Sequence, residues 1–268
     1  MISLTQAITK LKAAGIATAQ LDAEILLAHT LNCTRADLIL KTIPKIPDEF
    51  LELIERRCAH EPLAYIVGKK EFWEFEFIVN NNVLIPRPDT ETLIEQILLK
   101  FPDKSAPLRF LDLGTGSGCI ILTLLSIFKN ASGVAVDISD GALLVAKQNA
   151  KNLGIERAEF INSDWYGNIA QQRFDAILAN PPYIEPDEEV ALEVKKYEPQ
   201  NALYGGVAPY KIIAANAARY LAPNGIIAVE IGYGQGEQVA HIFSQHGFSQ
   251  KVVKDLAGKD RIIIAHAL

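Results

Sequence analysis

The chain has 268 residues, 49% of them apolar and 22% charged, with a formal net charge of −6. That length allows one large domain or two modest ones, and the composition excludes disordered and collagen-like chains. The acidic balance argues against a protein that holds naked nucleic acid by neutralising phosphates.

Residues 3–60 carry short apolar stripes at helical spacing: Leu4, Ala7, Ile8 and Leu11, then Leu21, Ile25 and Leu26, then Phe50, Leu51, Ile54 and Cys58. Ser3, Thr34 and Asp48 mark helix starts, while Gly15 and the Pro44–Pro47 stretch supply breaks. Four or so short helices in a small bundle are expected. Trp73–Val79 then alternates apolar and acidic residues, the period of a half-buried strand. Asn80-Asn81-Asn82 reads as its turn and Val83-Leu84-Ile85 as the returning strand of a hairpin.

Beyond Asp89 helices and strands alternate. Helices are expected over Thr92–Phe101, Cys119–Phe128 and Asp140–Leu153. Strands are expected at Arg109–Leu113, Gly133–Asp137, Ala158–Asn162, Phe174–Ala179, Ile226–Ile231, Gln250–Val253 and Arg261–Ala265. Strands of Val, Ile, Leu and Ala with helices between them point to a parallel sheet covered on both faces. The short Lys254–Asp260 link makes at least one of the last two strands antiparallel. The expected organisation is a helical docking domain over 1–63, a hairpin linker over 64–86 and an α/β domain over 87–268. Residues 1–85 carry a net −2 and the remainder −4, so neither part is a basic module.

The apolar runs are too short to span a bilayer, and the N-terminus has no basic segment followed by an apolar one. Three distant cysteines, Cys33, Cys58 and Cys119, suit a reducing cytosol better than a disulfide framework. The five histidines are scattered without metal-ligand spacing, so no metal is expected. These features predict a cytoplasmic protein with no membrane partner.

Two motifs carry chemistry. Asp112-Leu113-Gly114-Thr115-Gly116-Ser117-Gly118 stands where a strand hands over to a helix. Glycines there let the backbone turn sharply and approach a ligand. Asp137 ends the next strand about 20 residues on, placed to accept from ribose hydroxyls. The G-x-G-x-G spacing departs from the pyrophosphate cradle of dinucleotide enzymes. Asp112 would repel pyrophosphate and favour a cationic amino-acid group. An adenosine with an ammonium-bearing tail, S-adenosylmethionine, meets both demands. Asp164 follows the next strand as a candidate acceptor from the adenine amino group, with Trp165 beside it either on the ring or in the core. Ser117 either caps the following helix or touches ligand.

The second motif, Asn180-Pro181-Pro182-Tyr183, leaves the strand Phe174–Ala179. Its prolines make a rigid loop. An amide or exocyclic amine nitrogen is a poor nucleophile because its lone pair is delocalised. The Asn180 oxygen and the Pro181 carbonyl can accept its two N–H groups and aim it, while Tyr183 lies over the planar acceptor.

With both motifs present, the sequence resembles the peptide-chain release factor glutamine N5-methyltransferases. The tetrapeptide alone is shared with adenine-N6 DNA methyltransferases and several RNA methyltransferases. Leu84-Ile85-Pro86-Arg87-Pro88-Asp89-Thr90-Glu91 singles out this family, supported by Glu61–Ile66, Glu71-Phe72-Trp73, Tyr197-Glu198-Pro199 and Gly258–Arg261. The resemblance implies a Rossmann-like seven-stranded methyltransferase sheet. It implies methyl transfer from S-adenosylmethionine to the glutamine of a release factor's Gly-Gly-Gln motif, leaving S-adenosylhomocysteine. Gly114–Gly118, Asp137, Asp164 and Trp165 would contact the cofactor, Asn180–Tyr183 would hold the glutamine, and the helical bundle would help dock the release factor. Arg87 and Glu91 would brace or line the pocket. A monomer is expected, with no direct nucleic-acid substrate. One departure is Val207-Ala208-Pro209 after Gly205-Gly206, where the family commonly has Asp-Gly. The competing readings are a base or another protein's glutamine as acceptor, and a dinucleotide-dependent oxidoreductase.

Overall fold

The computed structural model describes residues 2–40 and 45–268, so Pro44 of the predicted break lies outside the described residues. The chain forms two compact units, one of residues up to Lys69 together with Val190–Tyr197, the other of Lys70–Glu189 and Glu198–Leu268.

The first unit contains α1 (Leu4–Ala13), α2 (Ala19–Thr30), α3 (Arg35–Leu40), α4 (Glu49–Cys58) and α5 (Leu63–Val67). Ser3 starts α1 as expected: its hydroxyl accepts from Gln6 N–H while the Gln6 side chain accepts from Ser3 N–H. The apolar stripes converge on Leu11, Leu26, Leu27, Phe50 and Ile54, all fully buried. Within the same unit the Arg57 guanidinium bonds Asp22 at 2.7 Å and Glu193 at 2.9 Å.

After α5 comes a hairpin of β1 (Lys69–Phe72) and β2 (Phe75–Ile78), which belongs to the second unit from Lys70 onward. The hairpin therefore turns at Trp73-Glu74, one strand earlier than the alternating pattern predicts. Trp73 takes a positive φ of 56°, and its N–H is held by the Glu91 carboxylate at 2.7 Å. Val83–Ile85 is not a strand, because its N–H groups go elsewhere: Val83 to Asn80 O, Ile85 to the Glu198 carboxylate.

A single turn, Pro88–Thr90, leads into α6 (Glu91–Lys100). The alternating series follows as β3 (Arg109–Leu113), α7 (Cys119–Ile127), β4 (Ser132–Asp137), α8 (Asp140–Asn152), β5 (Ala158–Asn162) and β6 (Phe174–Ala179). Then come α9 (Leu192–Tyr197, in the first unit), α10 (Ala208–Tyr220), β7 (Leu221–Glu230), α11 (Gly236–Gln245), β8 (Phe248–Lys254) and β9 (Asp260–Ala267). The strands form one seven-stranded sheet in the order β5-β4-β3-β6-β7-β9-β8. The first five are parallel, and β9 runs antiparallel to both its neighbours.

Alternate residues of the strands feed two apolar cores. Phe110, Ala135 and Ala176 pack with α6 and α7, while Leu111, Val136 and Ile177 pack with α10 and α11. The strand order reverses between β3 and β6, and a doubly wound sheet leaves a crevice at the carboxyl ends of such a pair. Among the described residues no helix is long and apolar enough to cross a membrane, and no His, Cys, Asp or Glu group is placed to hold a metal.

Candidate active site

Leu113 is paired with Ala179 across β3 and β6, so the glycine-rich turn and the Asn180 tetrapeptide leave the sheet side by side. Between them opens a cavity of about 280 Å³. From the turn Gly114, Thr115, Gly116 and Ser117 line it; Asp137, Asp164 and Trp165 come from the ends of β4 and β5. Asn180 and Pro182 close it from the tetrapeptide. Asp112, Gly118, Pro181 and Tyr183, the other residues expected at the site, lie close to these residues in sequence without lining the cavity.

The turn is built by φ. Gly114, Gly116 and Gly118 take φ of 73°, 56° and 80°, the left-handed region that a side chain makes costly. The Asp137 carboxylate accepts Gly116 N–H and Ser139 N–H, each at 2.9 Å, and so ties the turn to the next strand. A carboxylate has about four lone-pair sites, so acceptor capacity remains on Asp137 beyond these bonds. Asp112 lies fully buried beneath the turn. One oxygen accepts from the Thr115 hydroxyl at 2.6 Å, and the other, Oδ1, has no partner. Burial pushes its carboxyl up to about 7, with the nearby Asp137 charge adding to the shift. Asp112 thus supports the turn from below. Ser117 does not cap α7, whose N-cap is Gly118. Trp165 lines the cavity at a positive φ of 49°, strain of the kind that collects at ligand sites.

Around the tetrapeptide, Asn180 Nδ2 donates to Thr90 Oγ1 at 3.2 Å, and Thr90 donates to Glu230 at 2.6 Å. Asn180 Oδ1 is buried with no partner. The Tyr183 hydroxyl donates to the other Glu230 oxygen at 3.3 Å, and its carbonyl accepts from Gln235 at 2.9 Å. Burial pushes the Glu230 carboxyl up to about 7 and raises the Tyr183 phenol, the latter helped by the Glu230 charge.

The two residues left without a fixed role divide the work. Arg87 lines the cavity and pairs with the buried Glu198, which also accepts Ile85 N–H at 3.2 Å. Glu91 holds the hairpin turn instead. Sequence reading missed Glu230, Gln235 and Asn149. Asn149, buried on α8, bonds both Ile78 of the hairpin and Ser117 of the turn. Glu230 carried a readable signal: an acidic residue ending an apolar strand, as Asp137 does.

Comparison with known proteins fits this arrangement. The PrmC N-terminal domain family matches residues 3–68, and the methyltransferase small domain family matches residues 89–197. A bifunctional methyltransferase of Rickettsia felis is 41% identical, over 97% of this chain and 56% of its own length. The chain therefore spans little more than half of that relative. A release factor glutamine methyltransferase of Agrobacterium fabrum is 41% identical, over 95% of this chain and 92% of its own length. Among solved structures, a methyltransferase from Pyrococcus furiosus shares the fold at a TM-score of 0.54 and 16% identity, covering 83% of this chain and 100% of that one. The 41% identity to the Agrobacterium fabrum protein, over nearly the whole of both chains, places this chain in the release factor glutamine methyltransferase family.

Proposed function

We propose that the chain transfers the methyl group of S-adenosylmethionine to the side-chain amide nitrogen of the glutamine in a release factor's Gly-Gly-Gln motif, in the cytosol. The observation that carries this reading is Asn180 Oδ1: a buried acceptor with no partner, on a residue of the cavity wall. A buried polar group left unpaired costs about 1–3 kcal/mol, and an incoming amide N–H would recover that cost.

The residues present fit the cofactor. Asp137 would accept from ribose hydroxyls, Asp164 and Trp165 in the cavity wall would take the adenine, and Ile138, 59% exposed, would offer it an apolar face. When bound, the cofactor supplies an electrophilic methyl on a positively charged sulfur. Asn180 Oδ1 accepts one N–H of the glutamine amide and the Pro181 carbonyl the other. Two fixed acceptors draw density onto nitrogen and orient it. Pro181 and Pro182 hold these acceptors on a stiff loop. A base is not needed before transfer, since the product nitrogen can lose its proton afterwards.

Incubation with radiolabelled cofactor and release factor should label one glutamine, and Gln→Ala in the release factor should abolish it. Asn180→Ala should slow transfer about 100-fold, the scale of losing one preorganised polar partner. Undiminished labelling by that variant would refute the mechanism. Absence of labelling by the unaltered chain would refute the acceptor.

A further inference from the structure

An asparagine amide has a donor end and an acceptor end of nearly the same shape, so a half-turn about its last bond exchanges them. With the NH2 facing the cavity, Asn180 would meet the substrate amide donor against donor. The tetrapeptide therefore needs something that decides which end points outward.

The decision can be followed atom by atom. Glu230 is 1% exposed at the end of β7, and as a carboxylate it only accepts. Thr90, 2% exposed, has a single hydroxyl proton and spends it on Glu230 at 2.6 Å. Thr90 Oγ1 can then only accept, so the Asn180 group that faces it at 3.2 Å is the NH2. Oδ1 is left outside that chain and without a partner. The Tyr183 hydroxyl reaches the second Glu230 oxygen, so one carboxylate steadies both ends of the tetrapeptide.

We propose that Thr90 and Glu230 are positioning residues that set the orientation of the Asn180 amide and so present its oxygen to the methyl acceptor. The inference rests on amide methylation as the reaction. It also gives that reaction a pH dependence. The groups facing Glu230 are Thr90 and Asp89 ahead of α6, Cys119 on α7, Tyr183 after β6, Tyr210 on α10 and Arg261 on β9. Burial outweighs the Arg261 charge and leaves the carboxyl at about 7. Once protonated it can itself donate to Thr90, which frees the Thr90 proton to turn toward Asn180. Turnover at saturating cofactor then falls as pH drops through about 7.

The test compares Thr90→Val, Thr90→Ser and Glu230→Gln with the unaltered enzyme. Cofactor affinity by calorimetry shows that each variant keeps its fold. Asn180's side-chain amide resonance, assigned by its loss in Asn180→Ala, reports orientation without any acceptor. Thr90→Val should shift that resonance and speed its solvent exchange, lower kcat about 10-fold or more, and leave cofactor affinity within about twofold. Thr90→Ser should restore kcat and resonance, and Glu230→Gln should remove the limb near pH 7. An unmoved resonance in Thr90→Val overturns the inference, as does an unchanged kcat or an intact limb in Glu230→Gln. If the unaltered enzyme does not methylate a release factor, the functional reading falls, and the resonance alone decides the orientation.

Discussion

Gly205 passes so close to Pro182 that a Cβ on it would lie 2.4 Å from the Pro182 carbonyl oxygen. The approach is held by Gly205 and Gly206 N–H groups, both donating to Ile184 O at 3.2 Å. This strap backs the tetrapeptide, so the space glycine leaves is occupied by the loop that carries Asn180. The sequence departure beside it has a local explanation: Ala208 and Pro209 open α10, where proline in the first turn sacrifices no helical bond.

Gly205→Ala should therefore act on the tetrapeptide first. The added methyl must push either the strap or the Pro182 carbonyl, at about 1–3 kcal/mol for overpacking. Urea denaturation should show that loss, and kcat should fall more than cofactor affinity does, because Asn180 moves while the glycine-rich turn does not. Equal losses in both would place the strain elsewhere.

Glu198 should be more sensitive to what replaces it than to its charge alone. Its side chain is 1% exposed, whereas Arg87's is 35% exposed, so Arg87 can regain water when the pair is broken. Breaking a fully buried pair costs about 3–5 kcal/mol, and this half-exposed one should cost less. Glu198→Gln keeps an acceptor for Ile85 N–H and should lose about 1–2 kcal/mol. Glu198→Leu removes it and should lose about 1–3 kcal/mol more, the cost of an orphaned buried N–H. Equal denaturation midpoints for the two variants would show that the backbone bond contributes nothing.

The parallel strands are legible because their apolar runs stop at glycine, asparagine or acidic residues; β3 and β6 match their predicted limits residue for residue. Both motifs are legible because each is a run of adjacent residues on one loop at the end of a strand. Periodicity places the hairpin one strand too late because Trp73–Val79 alternates whether its turn precedes or follows it. What decides the matter is a long-range bond from Glu91, which periodicity cannot show. The bond between Glu230 and Thr90 is hidden for a similar reason: 140 positions apart in sequence, they meet only once β7 and the turn before α6 are in place.

Asp112 makes the stability of the ligand-free enzyme depend on pH in a direction opposite to that of an ion-paired carboxylate. Its ordinary value is 3.8 and burial raises it to about 7 in the folded state. Between these values the folded chain holds a proton that the unfolded chain has released. Stability must then fall as pH rises through that window, and level off above it. Three pH units at about 1.36 kcal/mol each set an upper limit of about 4 kcal/mol on the fall. Denaturation between pH 4 and 8 should show this slope in the unaltered chain and a shallower one in Asp112→Asn, which has no proton to lose. Glu230 supplies a residual slope of the same sign in that variant, since it too is pushed up to about 7. A cationic amino-acid group brought near Asp112 would favour its ionised form. Cofactor binding near pH 7 should accordingly release a fraction of a proton, seen by calorimetry in buffers of different ionisation enthalpy. Asp112→Asn should abolish that release. Parallel stability curves in the two proteins would mean that Asp112 is ionised before any ligand arrives.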